Sequence, residues 1–332
     1  MTVNPLTVDA PTDPLVTGTL GAPAPDPSAA PAAAASPAPS ASVWRALLGN
    51  RNSRIALCIL VPFIGLSVFS AFQPLGNSLQ SDLRASLDGP SLAHLFGTDK
   101  MGRDVLARTF DGLRISLIVG FCAAGISLIG GMLFGTLAAT MGKRVDRAVS
   151  TFVDMMMAFP AILLAVIVVS IFGGGPLQLI VALGFASMPA AIRLQRALSL
   201  SLASSTFMDA ARMANAPLRW NLLKHMLPNT LGPMSVVASI YAAEAILAEA
   251  ALSYLGLGII PPAPSLGNII GDGQNYLREG WWISTFPGLV IVLISISLHF
   301  LSDGIREQLD PASRTVVSAR TKGKSWLRRR TS

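Results

Sequence analysis

The sequence predicts an all-α integral membrane protein with six transmembrane helices, and three observations carry that prediction. Only 13% of its 332 residues are charged, whereas 52% are hydrophobic; a soluble domain carries roughly 25% charge. Uncharged apolar runs of bilayer-crossing length recur from residue 55 onward, with mean hydropathy at +0.56 overall. The remaining charges are mostly basic, with a net charge of +7, and they are sorted by loop. This composition argues against a soluble enzyme, a secreted mini-protein and a nucleic-acid-binding domain. Cys58 and Cys122 both lie within apolar runs, so neither a disulfide framework nor a cysteine metal cluster is expected.

Residues 1–42 consist largely of Ala, Pro, Ser and Thr, without Lys or Arg. Such a segment buries too little apolar surface to offset its chain entropy and reads as a disordered tail. It lacks the basic start and compact apolar core of a signal peptide. Residues 43–311 form the helical body, and 312–332 form a basic tail. A bilayer core needs about 20 helical residues. The spans are expected near 55–72, 115–141, 152–172, 177–192, 234–257 and 283–301. The fourth is the shortest and contains Pro189; Gly173, Gly174, Gly175 and Pro176 turn the chain into it.

Charge decides whether that short segment crosses. With six spans, 19 of the 25 basic residues fall on one side, among them Lys143, Arg144, Arg147, Arg193 and Arg196. Six fall on the other, including Lys100, Arg103 and Arg108. Positive charge marks the cytoplasmic side, so both termini are expected in the cytoplasm of a multi-pass cell-membrane protein. Two connections are long, an outer one over 73–114 and an inner one over 193–233, and long connections are often functional.

The inner connection holds the clearest local pattern. Thr206, three residues before Asp209, resembles a capping box, with Asp209 at the positive end of the helix dipole. Ala210 and Ala211 continue the helix. Asn215 suits a left-handed terminus, and Pro217 forbids continuation. Residues 218–227 read as a second short amphipathic helix stopped by Pro228. Small residues with basic edges would let another protein approach closely.

Asp209, Ala210, Ala211, Asn215, Leu227 and Pro228 resemble the Glu-Ala-Ala loop of ABC-importer permeases, with Asp in place of Glu and Asn in place of Gly. Three further stretches extend the likeness to the C-type subunit of the dipeptide, oligopeptide and nickel permeases. They are Gly97-Thr98-Asp99-Lys100-Met101-Gly102-Arg103-Asp104, Glu249 through Gly258 with Pro264 to Asn268, and Leu301-Ser302-Asp303 through Pro311. The resemblance implies a type I ABC-importer permease architecture in which the 193–233 loop couples to ATPase subunits. It also implies a homologous B-type permease, two cytoplasmic ABC ATPases and an extracytoplasmic solute-binding protein as partners. The chain itself would be non-catalytic and without cofactor. The implied cargo is a dipeptide or oligopeptide, with a nickel or other metal chelate or a glutathione-like solute as alternatives. An ion-gradient-driven transporter is the alternative of another class, but no internal repeat supports it.

Acidic residues within spans are rare and usually face a bundle interior. Glu244 and Glu249, five residues apart, lie about 140° apart around a helix and cannot form one site. Glu249 and Ser253 share a face. Either the translocation path or a helix interface accounts for Glu244, Glu249 and Ser253. His94, His225 and His299 are scattered, as a metal site would not have them. The basic tail is suited to anionic lipid head groups, and its Ser318–Ser325 stretch lacks the strand a phosphate-binding loop requires.

Overall fold

A computed structural model of the chain describes residues 50–72, 78–213 and 217–309. The tail 1–42, Asn215 and the basic tail 312–332 lie outside the described residues. Ten α-helices follow in order among those described: α1 (Arg51–Phe72), α2 (Val105–Thr140), α3 (Lys143–Met157), α4 (Ala161–Phe172), α5 (Pro176–Ala203), α6 (Thr206–Met213), α7 (Leu218–Asn221), α8 (Leu227–Tyr254), α9 (Leu266–Gly273) and α10 (Trp282–Leu309). Five of the helical stretches are long and apolar enough to cross a membrane. A sixth crossing is made if α3 and α4, bent by 84° at their junction, count as one.

Several boundaries depart from the sequence expectation, each for a local reason. The second span starts ten residues early, because Asp104 caps α2 by accepting from the Ala107 N–H at 2.9 Å. Its first three turns carry Arg108, Asp111 and Arg114, which no apolar window would include. The span expected at 152–172 is instead broken. Pro160 has no N–H to donate, and it biases Phe159 away from the helical region. Alone, α4 has 12 residues, a length of about 18 Å against a core of roughly 30 Å. The segment expected at 177–192 is no short piece: α5 is one helix of 28 residues running through the buried Pro189. Nor does Pro228 stop a helix. A widened turn at Leu222–Met226 leads directly into α8, with the Leu227 N–H reaching back to the Leu222 carbonyl. Pro228 sits in the first turn of α8, where a missing N–H is tolerated.

Close contacts order the helices into two ends. Glycines on α2 meet α5 in matching sequence order. A Cβ at Gly131 would fall 2.5 Å from the Ala191 Cβ, and one at Gly135 would fall 2.6 Å from the Ile192 carbonyl. Earlier in both helices, a Cβ at Gly184 would meet Ile126 and Ala123. The two helices therefore run parallel, and theirs is the most extensive helix pairing in the molecule. Parallel neighbours require an intervening return pass. The stretch 158–175, α4 with the residues on either side of it, supplies it, since Gly174 packs on the carbonyls of Gly258 and Leu257 beyond the end of α8. Segment 177–192 thus belongs to a crossing helix. At the opposite end Asn50 Nδ2 donates to Glu307 Oε2 (2.5 Å), and Ser302 Oγ donates to the Val236 carbonyl (3.0 Å). The starts of α1 and α8 and the end of α10 share that end.

The main core packs α2, α8 and α10 around Leu113, Ile246, Leu266, Ile294 and Leu298. A second cluster joins α2, α4, α5 and α8 around Val119, Val169, Leu179 and Leu252. Gly131→Leu is expected to destabilise the protein by about 1–3 kcal/mol through overpacking, lowering the thermal midpoint in detergent. Gly125→Leu, where nothing lies within 4 Å of an added Cβ, should leave it unchanged.

Candidate functional site

The loop singled out by sequence projects from the end shared by Asn50 and Glu307. Helix α6 begins at Thr206, so Thr206 is its first helical residue rather than its cap. The Met208 and Asp209 N–H groups instead bond to the Ser205 carbonyl at 3.0 and 3.3 Å. Asp209 is exposed in the first turn, where the helix dipole favours a carboxylate. Ala210 and Ala211 follow it within α6; Met208 turns inward and is buried. Leu227 is half-buried and Pro228 exposed, both at the start of α8.

Three large apolar side chains that sequence reasoning passed over stand out on this loop. Met213 is 90% exposed, Leu223 65% and Trp220 52%. Lys224 Nζ lies 5.3 Å from the Trp220 ring centroid, a cation–π arrangement that holds the indole in place. Trp220 and Leu223 at i and i+3, beside Arg219 and Lys224, were a readable signal. Such anchors are typical of protein-docking surfaces.

Directly behind the loop, polar side chains tie the helices that carry it to the rest. Gln195 Nε2 on α5 lies 2.8 Å from Thr136 Oγ1 on α2, 3.0 Å from Thr230 Oγ1 on α8 and 3.2 Å from Ser199 Oγ. All four residues are buried. Arg196 donates through Nε and Nη2 to the two carboxylate oxygens of Asp146, the second contact at 2.7 Å. Arg193 reaches Asp154 at 2.8 Å. Both pairs lace α3 to α5. The Arg196 guanidinium holds the Asp146 carboxyl below its ordinary range. The pair therefore adds stability above about pH 4, the unfolded carboxyl value, and that stability is lost as pH falls through the lowered folded value.

At the far end, Gly97–Asp104 folds into a tight clasp. Gly97 and Gly102 have φ of +71° and +69°, and a Cβ at Gly102 would collide with the Asp82 carbonyl. Asp99, 1% exposed, accepts from the Met101 and Arg103 N–H groups (2.8 and 3.0 Å) and from Arg103 Nε (2.7 Å). It also accepts from Arg108 Nη1. Asp272, at the end of α9, takes Arg108 Nη2 at 3.3 Å. Trp282 Nε1 donates to the Thr98 carbonyl at 3.0 Å. The clasp thus joins the segment before α2 to α2, α9 and α10. Sequence spacing identified the motif but not this role, which needs Asp272 and Trp282 from far along the chain.

Glu249 and Glu244 have different fates. Glu249 is 0% exposed. Its oxygens accept from Ser116 Oγ on α2 (2.5 Å) and Ser253 Oγ (2.7 Å), and Ser253 Oγ accepts from the Ile259 N–H at 3.0 Å. Glu249 and Ser253 thus form a helix interface that also holds the loop after α8. Glu244 is exposed on the outer face of α8, and the two carboxylates form no common site. Glu249→Ala should cost about 1–3 kcal/mol by leaving two buried hydroxyls without an acceptor. Glu249→Gln should cost less, because one acceptor oxygen remains. Thermal unfolding in detergent distinguishes the two.

Comparison with known proteins places this arrangement. Residues 131–315 match the family described as "Binding-protein-dependent transport system inner membrane component". The chain is 34% identical to the "Dipeptide transport system permease protein DppC" of Alkalihalophilus pseudofirmus, over 82% of this chain and 91% of the relative. It is 37% identical to the "Di/tripeptide transport system permease protein DppC" of Pseudomonas aeruginosa, over 68% and 74% respectively. A described body of crossing helices, matched over more than half of its length and similar to named permeases over most of it, belongs to the family of inner-membrane components of binding-protein-dependent transport systems.

Proposed function

We propose that this chain is the C-type transmembrane subunit of an ATP-driven importer of dipeptides or oligopeptides. The observation that carries the cargo class is its likeness to relatives named as dipeptide and di/tripeptide transport permeases. The chain moves its cargo without altering it chemically. Energy comes from two cytoplasmic ATPase subunits, and a homologous B-type permease completes the pathway. An extracytoplasmic binding protein delivers cargo. Both termini and the 193–233 loop face the cytoplasm, in keeping with the placing of 19 of the 25 basic residues.

Coupling follows from how the loop is attached. Helix α6 continues from α5 on one side and leads through α7 into α8 on the other. A push by the ATPases on Asp209, Met213, Trp220 and Leu223 reaches both helices at once. The Gln195 knot passes it to α2, and the Arg196–Asp146 and Arg193–Asp154 pairs pass it to α3. Packed helices that tilt as bodies, rather than deforming, convert that push into alternating access. Glu244, exposed in mid-helix, is a candidate for the pathway wall or for the contact with the B-type subunit.

Two experiments test the reading. Trp220→Ala is expected to weaken ATPase-subunit binding by about thirty-fold, the effect of losing a hot spot of ~2 kcal/mol. Uptake of labelled dipeptide by the reconstituted complex should fall with it. Uptake that survives disruption of residues 206–227 would overturn the coupling role. Recovery of a sugar or phosphate, instead of a peptide, from the purified cognate binding protein would overturn the cargo class.

A further inference from the structure

Helix α3 is an unusual part of this bundle, because it turns 84° away from α4 and carries an open face. Arg144, Ala148, Thr151 and Met155 follow at i, i+4, i+7 and i+11, so they share one side of the helix. All four are exposed. Lys143 and Arg147 flank that side on one edge, and Phe152 flanks it on the other. The two carboxylates of α3 are already taken, Asp146 by Arg196 and Asp154 by Arg193. Lys143, Arg144 and Arg147 make no ion pair among the described residues. Three cations thus stand along one edge of a helix whose other edge is apolar.

Beside the apolar edge lies a groove of about 340 Å³, lined by Phe134 of α2, Ala148, Val149 and Phe152 of α3, and Ile192 of α5. Every lining residue is apolar. If α4 runs along the membrane normal, an 84° bend lays α3 nearly in the membrane plane. A helix with a basic edge and an apolar edge in that orientation lies in the boundary between head groups and acyl chains. Cations there attract anionic head groups, and the adjoining apolar groove accepts a chain from the same molecule.

We propose that α3 is an interfacial helix that binds an anionic phospholipid. The phosphate sits on Lys143, Arg144 and Arg147, and an acyl chain enters the groove between α2, α3 and α5. Charge selects this occupant: a neutral lipid or an apolar protein helix would leave three cations unmatched. The inference does not depend on the importer's cargo or on the role of the 193–233 loop. It does place a lipid against the helix that Asp146 and Asp154 lace to α5.

The full complex, reconstituted in nanodiscs of phosphatidylcholine with 30% phosphatidylglycerol, provides the test. With Cys58 and Cys122 replaced by Ser, a fluorophore on Phe152→Cys should be quenched more by a nitroxide near the lipid head group than by one deep in the chains. Absence of quenching by either, as burial against a partner protein would give, overturns the proposal; so does stronger quenching from the deep position. Native mass spectrometry supplies a second readout. The unaltered complex should retain phosphatidylglycerol over phosphatidylcholine, and the K143Q/R144Q/R147Q variant should lose that preference by about tenfold. Equal retention by the two proteins overturns it as well.

Discussion

In a layer without water, each buried polar atom must find its partner within the protein, and the contacts between helices are arranged around that demand. Glu249 is the sharpest case. A carboxylate with no solvent access would be expensive alone, and Ser116 from one helix and Ser253 from its own fill its two oxygens. The same serine hydroxyl accepts from the backbone beyond α8, so the loop position follows from the acid. At the other end the Gln195 amide nitrogen links α2, α5 and α8 through Thr136 and Thr230. Apolar burial draws these helices together without direction; the buried polar groups fix which residues face which.

Two polar layers therefore bracket a middle built from small residues. Near α9 and the start of α10, the Asp99–Arg103–Arg108–Asp272 cluster and Glu249 hold the segments at one end. Near α6, the Gln195 knot and the two aspartate–arginine pairs hold those at the other. Between them, Gly131 lets α2 and α5 approach to backbone contact, where dispersion and shape carry much of the packing. One hydrogen bond, from Ser127 Oγ to the Gly184 carbonyl at 2.8 Å, ties α2 to α5 within that middle.

The crossing helices, the loop that carries Asp209 and the separation of Glu244 from Glu249 around their helix were legible in the sequence, because each rests on local hydropathy or on helical spacing; that Glu244 faces outward was not. Three of the misreadings share one physical cause, proline. Pro189 and Pro228 look like stops, yet burial of Pro189 and the widened turn before Pro228 let the helices continue. Pro160 lies inside the expected 152–172 span and breaks it by 84°. A proline removes one hydrogen bond wherever it occurs; whether the helix survives depends on neighbours that are distant in sequence. The clasp at Gly97–Asp104 was recognisable as a motif, but its purpose was not, since Asp272 and Trp282 complete it. The exposed trio Met213, Trp220 and Leu223 hid in a loop whose small residues drew attention first.

The parallel run of α2 and α5 also sets an order in time. Antiparallel neighbours can zip together as soon as a hairpin turn is made, but these two cannot. Residues 131 and 191 meet only after the intervening bent return has been carried back across the membrane. The largest helix contact in the molecule therefore waits for that return, closing a loop of about sixty residues at the entropic expense such closures carry. Until then the glycine face of α2 lies open within the membrane, a surface that other helices, or a neighbouring chain, can occupy during assembly.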